Sequence, residues 1–263
     1  MKEHSNNILS VDNLSIGYSS KKGDTIIASG IRVILPQGQL VGLIGINGSG
    51  KSTLLRTLSG LQSPLSGNIT LNGNHLSSTP PQELAQQLSV VLTGQSISKN
   101  LTVLELVSLG RQPYTNWLGS LSETDSTIIT KALEATDTDT LKNKKCYELS
   151  DGQLQRVLIA RALAQDTSVI ILDEPMTHLD LHHKAAVLKL LTQITHEQQK
   201  TILFSTHDIE LALPLCDYMI VLQEGIARMD TPQKLIEDNI FNTLFPSENV
   251  RFNKETGRFI INE

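Results

Sequence analysis

The spacing of apolar residues predicts two kinds of strand. Ile8–Tyr18 and Thr25–Leu35 alternate loosely between apolar and polar positions, and the polar residues 19–24 separate them, which is typical of half-buried strands joined by a turn. Leu40–Ile44 and Val169–Leu172 are short and wholly apolar, as expected for strands covered on both faces. Further strands are predicted at Ile69–Leu71, Leu88–Leu92, Ile202–Phe204 and Tyr218–Leu222.

The stretch from residue 95 to residue 165 has no strand pattern and carries helix-start signals instead. Thr102, followed three residues later by a glutamate, forms a capping box whose helix should stop at Gly110. Ser122 opens a second predicted helix, and Asp151–Gln165 is a third. We therefore expect an inserted α-helical subdomain.

Helices also alternate with the strands outside this insertion. One begins near Lys51; a short one is predicted with Thr79 as its N-cap; and His182–Glu197 places apolar residues on one face. Alternation of this kind predicts an α/β fold with a mostly parallel sheet, preceded by an N-terminal antiparallel β subdomain. The tail, residues 250–261, has the pattern of a β-hairpin.

Composition narrows the function classes. The chain has 263 residues with 22 Lys+Arg against 27 Asp+Glu, a net charge of −5, and 39% hydrophobic residues, which argues against disorder and gives no reason to expect nucleic acid as a partner. Its two cysteines suit a reducing compartment. The first residues lack the apolar stretch of a signal peptide, and no apolar run approaches the ~18 residues of a membrane helix. We expect a cytoplasmic, soluble protein that acts at a membrane only through a partner.

The segment from Gly45 to Ser52 fits the phosphate-loop pattern G-x-x-x-x-G-K-[ST] at every fixed position. Glycines allow backbone N–H groups to turn towards phosphate oxygens, and the helix that follows adds its positive end. The alternative is a glycine-rich turn that opens a helix by chance. The predicted nucleotide-binding residues here are Gly45, Asn47, Gly48, Ser49, Gly50, Lys51, Ser52 and Thr53.

Two carboxylates follow the apolar strand Val169–Leu172. The carboxyl end of such a strand is where ligands bind in open α/β sheets. Asp173 is predicted to hold Mg²⁺ through water, together with the Ser52 hydroxyl. Glu174 is predicted to orient or deprotonate the water that attacks the γ-phosphate. The alternative is a pair of acids that end a strand at the surface.

The segment Leu149-Ser150-Asp151-Gly152-Gln153 is partly explained as a capping box, with Ser150 as N-cap and Gln153 at N3. A capping box does not explain Gly152, because glycine inside a helix costs about 0.8–1 kcal/mol relative to alanine. A close approach to the backbone, for example by an anion at the helix N-terminus, would explain it.

At this point the chain resembles the ATP-binding cassette (ABC) ATPases over nearly all of its length. The LSDGQ segment is similar to that family's LSGGQ signature, and other family motifs occur in the family's order. The resemblance implies that Tyr18 stacks on adenine, Gln95 contacts Mg²⁺, Asp180 lies in the loop after the catalytic carboxylate, and His207 is the switch histidine. Core packing for Tyr18, solvation for Gln95 and a structural role for His207 are the alternatives.

The resemblance also implies an architecture. A single ABC ATPase domain, residues 1–263, would have a RecA-like P-loop NTPase core at 1–94 and 166–245, a helical signature subdomain at 95–165 and a C-terminal hairpin extension at 246–263. Two copies would form a head-to-tail homodimer in the ATP-bound state. Each of its two ATP molecules, bound with Mg²⁺, would lie between the phosphate loop of one copy and Ser150, Gly152 and Gln153 of the other.

Two departures from the family pattern matter. Asp151 replaces the first glycine of the signature, and we expect it to point outward, with its charge at the positive end of the helix. The second departure is the loop after the catalytic carboxylate, which reads Met176-Thr177-His178-Leu179-Asp180, so that only Leu179 and Asp180 carry over from the family. His178, His182 and His183 superficially suggest a metal site, but no cysteine or third ligand at zinc-like spacing accompanies them, so we interpret them as surface residues.

The loop at residues 110–119 indicates which group of ABC ATPases the chain resembles. It places Tyr114 and Trp117 in the helical region of a chain with only 4% aromatic residues, so these side chains are candidates to anchor a partner's helix; packing under the loop is the alternative. The segment resembles ATPases of bacterial importers of iron–siderophore complexes, haem and cobalamin. That implies two integral membrane permease subunits, an indirect periplasmic or lipoprotein substrate-binding protein, and a peripheral position on the cytoplasmic face of the membrane. An exporter ATPase, or a soluble ABC ATPase in DNA repair or translation, are the alternatives.

Overall fold

A computed structural model describes residues 7–94, 97–244 and 249–261. The strands are β1 Asn7–Tyr18, β2 Thr25–Pro36, β3 Leu40–Ile44, β4 Ser66–Leu71, β5 Asn74–His75, β6 Leu88–Val91, β7 Val169–Leu172, β8 Thr201–Ser205, β9 Tyr218–Gln223, β10 Ile226–Asp230, β11 Val250–Asn253 and β12 Arg258–Ile261. The α-helices are α1 Lys51–Leu58, α2 Pro81–Ala85, α3 Val103–Ser108, α4 Glu123–Ala135, α5 Asp151–Ala164, α6 Leu181–Gln198, α7 Ile209–Ala212, α8 Pro232–Glu237 and α9 Ile240–Leu244.

A six-stranded sheet in the order β10-β9-β3-β8-β7-β6 forms the centre of the fold. Its strands run parallel except β10, which pairs antiparallel with β9. The wholly apolar sequences of β3 and β7 are explained by burial of every residue in both strands. Because β8 lies between β3 and β7, the carboxyl ends of these three strands meet at one edge, where the phosphate loop and the two carboxylates begin.

The predicted N-terminal antiparallel sheet is confirmed. Its strand order is β2-β1-β4-β5, and the β1–β2 register runs from Asn7 opposite Pro36 to Tyr18 opposite Thr25. Its buried side chains, such as Leu9 and Leu35, join one apolar cluster with side chains of β3 and of α1. This packing covers the face of the central sheet that carries α1.

Helices α3, α4 and α5 follow one another without intervening strands in the described residues between 97 and 165. The predicted capping box at Thr102 is present, and the helix start predicted at Ser122 also carries a capping box, formed with Asp125. A buried ion pair connects the helical elements: Nε of Arg111 lies 2.8 Å from Oδ1 of Asp125, and Nη1 of Arg111 donates to the carbonyl of Ala164.

Several predicted boundaries were wrong, and several short elements were not predicted. The N-cap of α2 is Pro80 and not Thr79, whose hydroxyl donates to the carbonyl of His75 instead. Helix α3 ends at Ser108, and a 3-10 helix, Leu109–Tyr114, continues through Gly110. The sequence patterns did not predict β5, β10 or the short helices α7, α8 and α9.

The tail forms the predicted hairpin from β11 and β12. Phe252 of β11 packs against Phe241 of α9, with 4.9 Å between ring centroids, and against Phe259 of β12 at 5.1 Å. The backbone N–H of Phe259 also donates to Glu210 of α7. The hairpin is therefore attached to the body of the protein by aromatic packing.

Candidate functional site

The loop between β3 and α1 has a backbone that only glycine accommodates at two points. Gly48 and Gly50 have φ values of 78° and 102°, in the left-handed region. A Cβ at Gly45 would lie 2.4 Å from the carbonyl oxygen of Leu222 and 2.6 Å from Oγ of Ser49. Among the described side chains, Ser49 is one of two with a buried polar atom that has no hydrogen-bond partner. The loop therefore holds an unpaired hydroxyl, as a polar ligand site would.

Lys51 begins α1 and folds back over this loop. Its ammonium donates to the carbonyl of Gly45 at 2.9 Å and to that of Ile46 at 3.2 Å. Burial lowers the pKa of Lys51, and the nearby charges of Glu174 and Asp173 oppose that change. The first turn of α1, described throughout, contains no acidic side chain to neutralise the helix's positive end. The result is a concentration of positive charge suited to a polyphosphate.

Asp173 follows β7 and is 3% exposed. Its Oδ1 accepts hydrogen bonds from the hydroxyls of Ser52 (3.2 Å) and Ser205 (2.8 Å), and its Oδ2 accepts one from Thr93 (3.0 Å). Carboxylate and hydroxyl oxygens are the ligands that Mg²⁺ prefers. Two of the three residues predicted to contact Mg²⁺, Ser52 and Asp173, are thus adjacent, and their chemistry fits the ion.

Glu174 has a left-handed backbone, with φ of 50°, and its N–H donates to Oγ of Ser205. Its carboxylate contacts Nε2 of His207 at 2.8 Å through Oε1 and accepts from the hydroxyl of Thr177 at 3.0 Å through Oε2. Burial raises the pKa of this carboxyl, but the hydrogen bonds from His207 and Thr177 outweigh it, so the pKa lies below its ordinary value. A cavity of 230 Å³ adjoins Asp173 and Glu174.

Tyr18 lies at the end of β1 with half of its surface exposed, so it is not a core residue. Its hydroxyl is 3.3 Å from Oγ1 of Thr53, a predicted nucleotide-binding residue in α1. The ring is available to stack on a flat ligand beside the phosphate loop. Gln95 lies outside the described residues.

The signature segment begins α5. The backbone N–H of Gln153 donates to Oγ of Ser150 at 3.3 Å, and the N–H of Ser150 donates to Oε1 of Gln153 at 3.1 Å, so the predicted capping box is present. Ser150 and Asp151 are exposed, with Asp151 in the first turn of the helix. An exposed helix N-terminus of this kind can meet a second molecule.

Asp180 caps α6, because its Oδ1 accepts the backbone N–H of His183 at 2.9 Å. The same oxygen contacts Nδ1 of His183 at 2.7 Å. The backbone and then the side-chain hydrogen bond of His183 lower the pKa of Asp180. A Cβ at Gly152 would lie 2.7 Å from Cδ2 of His183, so the close neighbour of this glycine within the chain is an imidazole ring.

Three further residues hold the carboxylates and were not predicted from the sequence: Thr93, Thr177 and Ser205. Ser205 had a usable signal, because it ends β8 and the carboxyl ends of neighbouring parallel strands meet. Thr93 follows β6 at the same edge. Thr177 lies three residues after Glu174, where a turn brings its hydroxyl back to the carboxylate.

A phosphate loop, a buried carboxylate and an adjacent glutamate–histidine pair on a parallel sheet define a P-loop nucleotide hydrolase. The family model for the ABC transporter matches residues 28–177. The chain is 36% identical to an uncharacterized ABC transporter ATP-binding protein of Methanocaldococcus jannaschii, over 96% of this chain and 86% of that protein. It therefore belongs to the ABC transporter family and is one of that family's ATPases.

Other relatives carry more specific names. The chain is 40% identical to the achromobactin transport ATP-binding protein CbrD of Dickeya dadantii, over 88% of this chain and 85% of that protein. It is 38% identical to the iron(3+)-hydroxamate import ATP-binding protein FhuC of Bacillus subtilis, over 91% of this chain and 88% of that protein.

Solved structures are similar along most of their length. One, of a protein described as a metal-chelate type ABC transporter in an inward-facing conformation, has a TM-score of 0.79 at 28% identity and covers 97% of this chain and 96% of that chain. Another is the ATP-binding cassette MJ0796, solved as a dimer in a post-hydrolysis state with ADP and Pi. Its TM-score is 0.74 at 26% identity, and the match covers 86% of this chain and 99% of that chain. The fold expected from the sequence is thereby confirmed.

Proposed function

We propose that this chain is the ATP-hydrolysing subunit of an importer for an iron–siderophore, haem or similar metal-chelate complex. The observation that carries the chemical part is the meeting of Lys51, Asp173 and Glu174 at one sheet edge. The transport part is supported by relatives named for achromobactin and iron(3+)-hydroxamate. These names favour import over the exporter and over a soluble ATPase in DNA repair or translation.

In this proposal the reaction is hydrolysis of the bond between the β- and γ-phosphates. The Gly45–Thr53 loop and Lys51 bind the phosphates, and Tyr18 stacks on adenine. Water attacks the γ-phosphorus while Glu174 accepts its proton, and ADP leaves with the bridging oxygen. His207 hydrogen-bonds the γ-phosphate when ATP is bound, whereas in this structure its Nε2 contacts Oε1 of Glu174.

Mg²⁺, held by Ser52, Gln95 and Asp173, would supply charge neutralisation on the phosphates. Burial of Asp173 and its three hydroxyl donors fix the carboxylate in place before any ligand arrives. The lowered pKa of Glu174 keeps that group ionised, and therefore able to accept a proton, at neutral pH.

The proposal includes a head-to-tail homodimer with two ATP molecules. Ser150, Gly152 and Gln153 of one copy would contact the phosphates bound by the other, and Asp180 would lie at the interface. The exposed Ser150 at a helix N-terminus supports this. The proposed domain division is a nucleotide-binding core at 1–94 and 166–245, a helical subdomain at 95–165 and a hairpin extension at 246–263.

Two integral membrane permease subunits would bind the helical subdomain. Trp117 is 91% exposed, which supports it as an anchor for a partner. Tyr114 is less available, because the Arg111 guanidinium lies 3.9 Å from its ring centroid. None of the described helices is long and apolar enough to span a bilayer. The proposed location is peripheral, on the cytoplasmic face of the membrane, with a periplasmic or lipoprotein substrate-binding protein acting indirectly.

Gene disruption tests the transport proposal. Loss of this chain from its host should abolish uptake of at least one radiolabelled ferric siderophore, haem or cobalamin. The unaltered gene should restore that uptake, and the Lys51→Ala variant should not. Undiminished uptake of all three ligand classes in the disrupted strain would contradict the proposal.

A further inference from the structure

His183 links two segments that the proposed function assigns to different ATP sites. One is the loop after Glu174, which ends at Asp180. The other is the N-terminus of α5, which contains Gly152. In the proposed head-to-tail dimer, Glu174 acts on the ATP bound by its own chain, whereas Gly152 contacts the ATP bound by the partner. We infer that His183 is a positioning residue that makes these two segments of one chain move together.

The contact with Asp180 is specific. A single carboxylate oxygen, Oδ1, accepts from the backbone N–H of His183 at 2.9 Å and lies 2.7 Å from its Nδ1. A carboxylate accepts only, so Nδ1 carries the proton and donates it. The histidine thus fixes both the start of α6 and the direction of the Asp180 side chain.

The contact with α5 is steric. A Cβ at Gly152 would lie 2.7 Å from Cδ2 and 3.3 Å from Cγ of His183, and the first of these distances is shorter than real Cβ contacts. A side chain at residue 152 would therefore displace the imidazole from the place it occupies. The contact also accounts for a glycine inside the first turn of a helix, where alanine would otherwise be preferred.

Through these two contacts, His183 couples the two ATP sites of the proposed dimer. Movement of α5 towards a phosphate of the partner displaces the ring, and the ring carries Asp180 and its loop with it. That loop begins at Glu174, so engagement of the signature at one site alters the orientation of the base at the other. This inference rests on the proposed dimer and names the contact through which its two sites influence each other.

Two substitutions at residue 183 separate this role from a merely structural one. His183→Ala removes both side-chain contacts and leaves the backbone N–H bond to Asp180 in place. His183→Asn keeps an N–H donor in the place of Nδ1 and an atom in the place of Cδ2. Lys189→Ala is the control, because Lys189 is an exposed residue of the same helix, whereas the ring of His182 lies edge-on to that of His183 with 5.6 Å between centroids. Since the His183 side chain is 47% exposed, all three variants should fold, and thermal melting checks this.

ATPase activity measured against ATP concentration is the test. His183→Ala should lower kcat about tenfold with little change in KM, and should reduce the Hill coefficient towards 1. His183→Asn should keep more than half of the kcat, and Lys189→Ala should match the unaltered chain. Binding of ATP to the monomer should be the same in all four proteins.

The assay distinguishes failure of this inference from failure of the proposed function. If the unaltered chain hydrolyses ATP and His183→Ala retains its kcat and Hill coefficient, the inference is overturned while the proposed function stands. The same holds if His183→Asn is as impaired as His183→Ala. If the unaltered chain has no ATPase activity, the proposed function fails, and this inference fails with it.

Discussion

Oε1 of Glu174 lies 2.8 Å from Nε2 of His207, although 33 residues separate them in the chain. Glu174 follows β7 and His207 follows β8, its parallel neighbour in the sheet. The pair is therefore a product of sheet topology. It places a base and a hydrogen-bond donor together beside the phosphate loop.

The Glu174→Gln variant should bind ATP and hydrolyse it at least about 100-fold more slowly, since a positioned general base contributes 10²–10⁴-fold. The amide keeps the size of the side chain but cannot accept the proton. Without hydrolysis, the ATP-bound dimer should accumulate. A phosphate-release assay and size-exclusion chromatography with ATP measure the two effects. A turnover rate equal to that of the unaltered chain would reject the role of Glu174.

Lys51→Ala should weaken ATP binding about 10- to 100-fold, because a hydrogen bond to a charged group contributes about 1.5–3 kcal/mol. Equilibrium binding of a fluorescent ATP analogue measures this. Lys189→Ala, at an exposed position of α6, is the control and should bind normally. Equal affinities in the two variants would show that Lys51 does not contact the phosphates.

Asp125→Asn should lower the free energy of unfolding at pH 7 by about 3–5 kcal/mol, because it leaves the buried Arg111 charge without its partner. Hydrogen bonds from the side chain and backbone of Ser122, and then from Arg111, lower the pKa of Asp125 from 3.8 to about 2. The carboxylate's contribution is therefore complete above pH 3.8 and is lost as the pH falls towards 2.

Urea unfolding at several pH values tests the direction of this pH dependence. The difference in unfolding free energy between Asp125→Asn and the unaltered chain should be constant from pH 7 to 5 and should narrow below pH 4. A gap that widens with acid would contradict the assignment of a lowered pKa.

Trp117→Ala should change the unfolding free energy by no more than about 0.5 kcal/mol, as exposed substitutions do, because its side chain is 91% exposed. Phe241→Ala, in the aromatic cluster beneath the hairpin, should cost about 3–5 kcal/mol. The exposed variant should nevertheless copurify less with the permease subunits. Normal recovery of the complex would remove Trp117 from the proposed interface.

Sequence patterns predicted most of the strands because burial on one or both faces leaves a clear period. They failed where tertiary contacts decide the structure. β10 has mixed burial and forms by pairing with β9, so its own sequence carries little signal. The start of α2 depended on whether the Thr79 hydroxyl bonds forwards or backwards, which local sequence does not determine.

The same contrast between local sequence signals and long-range contacts applies to the site. The phosphate loop is contiguous in sequence, so its glycines and lysine were predictable as a unit. The contacts of Asp173 with Thr93 and Ser205 span 80 and 32 residues and require the strand order. Gly152 illustrates the limit most clearly, because its neighbour His183 lies in a helix that the sequence alone did not place beside it.

Mixing two inactive variants is the most direct test of a site shared between copies. Lys51→Ala lacks the phosphate-loop lysine, and Ser150→Arg blocks the signature, so neither homodimer has an intact site. A mixed dimer has one site with both Lys51 and Ser150 intact. The mixture should therefore regain up to about a quarter of the unaltered ATPase rate, since half of the dimers would carry one good site of two. A mixture no more active than its separate components would contradict the account.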